Sequence, residues 1–180
     1  MNPGRKRGTG RAVVRPFQPP DRPLLVRGIE GIQDQLAALD PFGLVHRGPG
    51  YGEAYVRHVL RMVRHHQGCL LVAERAGVPL GFVAAHVRPR DPLRDLELRA
   101  GRTGFVMDLY VEPPARGHGV GTTLLRAAER HLAGRGCSHV WLDVFVPNRR
   151  AAALYRSLGY APFGTLMVAP LRRRRAPRPS

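Results

Sequence analysis

From Val106 to Thr122 the chain reads VMDLYVEPPARGHGVGT: an apolar strand, a Pro-Pro turn, a basic Gly-rich loop and, without a break, the start of an amphipathic helix. Nothing else in the sequence narrows the fold as much. The loop opens directly onto the helix, so the first helical N–H groups can point at a ligand's oxygens. Gly117, Gly119 and Gly121 let the backbone come close to a ligand, the helix start carries partial positive charge, and Arg116 adds a full one. Arg116 to Thr122, with His118 and Val120 between the glycines, therefore reads as a phosphate loop. Two familiar alternatives fail on spacing. A Walker loop ends in Gly-Lys-Ser/Thr, and the only lysine is Lys6; a dinucleotide loop needs a third glycine where this chain has Thr122.

With Val-x-Pro at Val111 to Pro113 before it, the run Arg-Gly-His-Gly-Val-Gly from Arg116 to Gly121 resembles the acetyl-CoA signature of the GNAT N-acetyltransferases. A second block, NRRAAALYRSLGY from Asn148 to Tyr160, resembles the family's N-x-x-A-x-x-L-Y-x-x-x-G-[FY] helix in every fixed position. The resemblance runs from Leu24 to Leu171 and is sharp between Gly104 and Tyr160. It implies an α/β domain of GNAT fold: a mixed, mostly antiparallel central sheet with two splayed strands, flanked by helices, and acetyl-CoA in the cleft between those strands. The implied activity is N-acetylation of a primary amine by direct transfer. Two alternatives are an acyl-CoA-binding module without catalysis and a basic interaction protein built on the same scaffold.

With 180 residues, 43% of them hydrophobic, the chain has material for one domain with a sizeable core. Residues 23–171 are the expected domain, between a basic, Pro/Gly-rich disordered tail at 1–22 and an Arg-rich tail at 172–180. These tails carry much of the +16 net charge: six basic side chains against one acid in the first, five arginines in the second. No aromatic residue interleaves with the terminal arginines for base stacking, so no nucleic-acid partner is expected. The N-terminus, broken by Pro3, Gly4, Gly8 and Gly10, does not read as a signal peptide, and no run approaches the roughly 18 apolar residues of a membrane helix. A cytoplasmic protein is the expectation. Cys69 and Cys137 read as free thiols, and the grouping of His65, His66 and Cys69 matches no zinc spacing, so no metal is expected. The acceptor, a small molecule or a protein N-terminus or lysine, stays open, as do monomer and homodimer, although the basic body disfavours highly cationic acceptors.

Along the chain, Leu24–Ile29 reads as a first strand. Ile32, Leu36 and Leu39 suggest a short helix ended by Asp40-Pro41, and Tyr55, Val56, Val59, Leu60 and Val63 form a second helical stripe. Cys69–Glu74 and Leu80–Val87 read as a hairpin, followed by a polar connection from Arg88 to Thr103 and a strand from Gly104 to Val111. The helix after the phosphate loop ends near Gly134 and Gly136. Val140–Val146 is expected as a strand, Asn148 as the cap of the next helix, and Pro162–Ala169 as the last strand.

Transfer from a thioester to an amine needs a neutral nucleophile, a stabilised oxyanion and a proton for the leaving thiolate. The resemblance places the pantetheine-binding strand edge at Leu109, Tyr110 and Val111, with the Val111 N–H as oxyanion donor, counts Asn148 among the acetyl-CoA-binding residues, and puts Tyr155 at the position of the general acid. For the base, Asp143 lies twelve residues before Tyr155, a spacing similar to that at which ribosomal-protein N-terminal acetyltransferases carry a glutamate. A carboxylate inside an apolar strand must also be paired, raised in pKa or facing a wet cleft. Asp108, between Met107 and Leu109, is the rival.

Overall fold

Five strands pair in sequence order, β1 (Val13–Pro16), β2 (Cys69–Arg75), β3 (Val78–Val87), β4 (Thr103–Val111) and β5 (His139–Leu142). The first three pairings are antiparallel and the last, β4 with β5, is parallel. This is a computed structural model that describes residues 11–99 and 101–171. The expected mixed sheet flanked by helices is what forms. On one face lie α1 (Arg22–Leu39) and α2 (Tyr51–His65), whose Leu25, Ile29, Val56 and Val59 bury against Val72, Phe82 and Tyr110. On the other lie α4 (Val120–Gly134) and α5 (Arg149–Ser157). There Leu124, Leu125, Ala128 and Leu132 meet Val83, Ala85 and Val106, and Tyr155 and Leu158 pack alongside. Because helices cover both faces, β3 is apolar at nearly every position and fully buried from Gly81 to Val87.

Several elements differ from the sequence reading. Leu24–Ile29 is not a strand but part of α1. Pro23 sits comfortably in a first helical turn, and Leu25 and Ile29, four residues apart, share the buried stripe. The expected tail begins to be ordered earlier, as β1. Arg15 fastens it: its Nε donates to Glu74 at 2.6 Å and its Nη groups to the buried Asp21 at 2.7 and 2.9 Å, a two-carboxylate grip far in sequence on one side. Residues 1–10 and 172–180 lie outside the described residues. The hairpin turn is two residues, Ala76 and Gly77, both at positive φ (49° and 74°), which matches the twist of its strands. The polar connection after β3 contains a short helix, α3 (Pro92–Glu97), capped by the Asp91 carboxylate. β5 stops at Leu142 instead of running to Val146, and Pro162–Ala169 forms no strand. There Phe163 leans edge-on against Trp141, ring centroids 4.6 Å apart, as a single anchor in a segment bounded by Pro162 and Pro170.

Met107 is the extra residue of a bulge opposite Ala84 and Ala85. Because of it, Phe105 and Asp108, three apart, both lie on the face covered by α1 and α2, opposite His86 and Ala84 respectively. That face seats α1 through Gly28, where an added Cβ would strike the rings of Phe82 and Tyr110, whereas at Gly31 the nearest atom is an ordinary 3.5 Å away. Gly28→Ala should therefore lower stability by about 1–3 kcal/mol. Gly31→Ala, in the interior of the same helix, should raise it by about 0.5–1 kcal/mol. Urea unfolding midpoints of the two variants should move in opposite directions.

Candidate active site

β4 supplies the backbone of the site. The Glu112 N–H donates to the Leu80 carbonyl at 2.8 Å, and the same register continues through Tyr110 opposite Phe82 and Asp108 opposite Ala84. Ladder bonds alternate sides, so the backbone of Tyr110 and Asp108 faces β3 while that of Leu109 and Val111 faces away from it. On that far side β5 pairs only up to Val106 with Leu142. The N–H groups of Leu109 and Val111 thus open into a gap between diverging strands. The Val111 carbonyl is engaged by Arg116, whose Nε donates to it at 2.8 Å and whose guanidinium lies 5.9 Å from the Tyr110 ring centroid. Arg116 therefore ties the loop to the strand.

The gap leads to the start of α4. Gly117 and Gly119 take φ of 81° and 75°, a left-handed backbone that side chains resist. The Thr123 N–H, bonded to the Gly119 carbonyl at 3.0 Å, makes the first helical bond, and no side chain caps the end. The N–H groups of Val120, Gly121 and Thr122 consequently point out of the helix start, in front of glycines around which an added Cβ would meet open space. Gly121 looks inward instead, toward Leu154, Val111 and Leu109. His118 is exposed beside them. Asn148 caps α5, its side-chain oxygen accepting from the Ala151 N–H at 3.2 Å.

The two candidate carboxylates have opposite surroundings. Asp143 lies beyond the end of β5 and is exposed, with no hydrogen-bond or ion-pair partner among the described residues, so the argument from a carboxylate inside an apolar strand does not apply to it. Asp108 is buried, and its Oδ2 has no partner. Loss of water pushes its carboxyl up to about 7, offset only in part by the Tyr55 hydroxyl. Its charge is in turn felt by Tyr55 on α2 and Tyr155 on α5: burial first, and Asp108 second, raise both phenols. Tyr51 at the start of α2 is raised in the same order of causes, so phenols from both faces of the sheet feel the one carboxyl. Tyr55 was visible in the sequence only as part of the apolar stripe of α2; its hydroxyl acquires meaning through the tertiary approach of β4.

Among the described residues no three His, Cys, Asp or Glu side chains are grouped to hold a metal ion, and no helix is long and apolar enough to cross a membrane. Cys69 and Cys137 are unpaired. A sequence profile described as the acetyltransferase (GNAT) family matches residues 62–160, more than half of the chain. Aminoglycoside N(6')-acetyltransferase type 1 of Klebsiella aerogenes is 32% identical over 91 residues, covering 51% of this chain and 57% of that one. A mycothiol acetyltransferase of Parafrankia is 36% identical over 96 residues, covering 49% of this chain and 30% of that one. The match thus spans between about a third and just over half of these relatives' length. A solved GCN5-related N-acetyltransferase from Ralstonia eutropha shares the fold, with a TM-score of 0.67 at 24% identity over 89% of this chain and 98% of that one.

The raised Asp108 carboxyl has a consequence for stability. Its folded value, about 7, lies above the unfolded value of about 4, so the fold bears no cost from this group at pH values below the unfolded one and the full cost of a buried anion above the folded one. Relative to the native chain, Asp108→Asn should gain stability as pH rises between those limits, and the difference should vanish near pH 4; urea unfolding across that range measures it.

Proposed function

Because the chain belongs to the acetyltransferase (GNAT) family, we propose that it transfers an acetyl group from acetyl-CoA to a primary amine. The observation that carries this reading is the continuity of the gap: unpaired N–H groups on β4, a buried carboxyl and a half-buried phenol beside them, and a Gly-built helix start at its end. The N–H groups of Val120 to Thr122 and the helix dipole suit a pyrophosphate, and the β4 edge at Leu109 to Val111 suits the amides of a pantetheine arm, taken as an added strand. Acetyl-CoA supplies the thioester. Asp108, ionised, accepts a proton from the incoming ammonium and leaves the neutral amine to attack the thioester carbonyl carbon. The N–H of Val111 donates to the oxygen that gains negative charge. As the C–S bond breaks, the Tyr155 hydroxyl gives its proton to the departing sulfur. Burial and the neighbouring carboxylate keep that hydroxyl protonated until then.

Asp108 and Tyr155 also divide the work between faces. Tyr155 belongs to the core under α4 and α5, on the side of the helix start, and Asp108 to the face of α1 and α2. The co-substrate and the amine would approach from opposite sides of the gap and meet in it.

Three measurements test the proposal. Gly119→Val, which forces a branched side chain into a left-handed position in front of the helix N–H groups, should abolish acetyl-CoA binding in calorimetry. Tyr155→Phe should lower kcat by about 10²–10⁴-fold with little change in acetyl-CoA affinity. The pH–rate profile should rise through an acidic limb near the Asp108 value of about 7. Asp108→Asn should remove that limb and slow transfer, whereas Asp143→Asn should keep it. A chain that binds acetyl-CoA yet releases no thiol with any amine would instead be a binding module.

A further inference from the structure

On the face that Asp108 shares, the sheet continues past Phe105 to Trp141, its neighbour on β5. At this end the cover comes from α3 and the connection around it, beside the C-terminal end of α2 at His65. The Arg88 guanidinium lies 4.7 Å from the centroid of the Phe105 ring and 5.4 Å from that of Trp141, and the Arg94 guanidinium, from α3, lies 4.7 Å from the same Trp141 ring. Neither arginine has a carboxylate partner among the described residues, and the Trp141 Nε1–H is buried without an acceptor. Both guanidiniums line one cavity of about 680 Å³, to which Arg102 also contributes. Of the two acids on its wall, Asp91 caps α3 and Asp95 is paired with Arg90.

Arg102 donates to the Gln67 side-chain oxygen at 2.6 Å, which leaves Arg88, Arg94 and the indole N–H as donors without a side-chain acceptor among the described residues. The two guanidiniums repel one another, and the buried indole N–H is left unsatisfied, which destabilises the site until an acceptor enters. Stacking holds the arginines flat and oriented, which suits them to a planar or tetrahedral anion. Phe105 and Asp108 stand opposite His86 and Ala84, two positions apart on β3, and so lie roughly 7 Å apart along the strand.

We propose that the acceptor carries an anionic group, a carboxylate or a phosphate, which Arg88 and Arg94 hold beyond the Phe105 ring while the amine, at the other end of an extended spacer, reaches Asp108. The proposal rests on the acetyl-transfer reading of the gap. It makes the acceptor a zwitterion with an extended spacer and sets polycations such as aminoglycosides aside, since they would bring like charge to the arginines.

Trp141 is the only tryptophan of the chain, so its fluorescence reports on this site directly. The test compares 6-aminohexanoate, the phosphate monoester of 6-aminohexanol, n-hexylamine and kanamycin as acceptors in a thiol-release assay, and titrates Trp141 fluorescence with each. At least a tenfold higher kcat/KM for an anionic acceptor than for n-hexylamine is expected, with a fluorescence change that n-hexylamine does not produce. Whichever anionic arm shows the larger ratio distinguishes carboxylate from phosphate. Arg88→Gln should bring that ratio toward one through KM, and Arg94→Gln, on an exposed short helix, should do the same and guards against a folding defect in the first. Equal rates with and without the anion, a preference for kanamycin, or fluorescence changes with no rate preference would overturn the proposal. Thiol release from none of the amines, in a chain that binds acetyl-CoA, would overturn the acetyl-transfer reading itself.

Discussion

The parting of β4 from β5 after Val106 and Leu142 is the constraint on which the rest depends. A sheet that stayed paired would satisfy the Leu109 and Val111 backbone internally and leave no room for anything else. Here those groups open into a gap, and the gap has a floor. Leu109, Val111 and Leu154 meet under Gly121, so the start of α4 is held against the exposed edge of the strand. Arg116 closes the corner by donating to the Val111 carbonyl. An open strand edge and an uncapped helix start, each a liability alone, become neighbouring parts of one surface.

The same gap sets the electrostatics. Asp108 is on a strand buried from both sides, yet it faces no cation among the described residues, so desolvation dominates and the carboxyl rises to about 7. Had a guanidinium stood opposite, as Arg15 stands opposite Asp21, the shift would run the other way, as it does there. The chain has arginines in excess, and it is their placement that matters. They line the outer wall at Arg88, Arg94 and Arg102 and leave the middle of β4 to tyrosines.

The bulge at Met107 links the two regions. Strict alternation would put Phe105 and Asp108 on opposite faces; one extra residue puts them on the same one. The buried carboxyl and the Phe105–Trp141 platform with its arginines then share one face of the sheet. Nothing in the periodicity of VMDLYV marks that extra residue.

The sequence by itself determined the strand–loop–helix unit from Val106 to Gly134, the hairpin of β2 and β3, α2, and the Asn148-capped α5, because these are local. Turn residues, caps and apolar stripes act over a few positions, and glycine is required wherever φ must be positive. The Gly-rich loop and the place of Tyr155 on α5 were legible for the same reason. What only the tertiary structure decided depends on partners distant in the chain. Leu24–Ile29 joins a helix because its apolar residues find the Phe82–Tyr110 face, and β1 forms because Arg15 reaches Asp21 and Glu74. β5 ends early because β4 turns away from it. The difference in surroundings between Asp108 and Asp143 belongs here too. Both are single acids among apolar neighbours in sequence, and only burial, which is the approach of other elements, raises one and leaves the other in water.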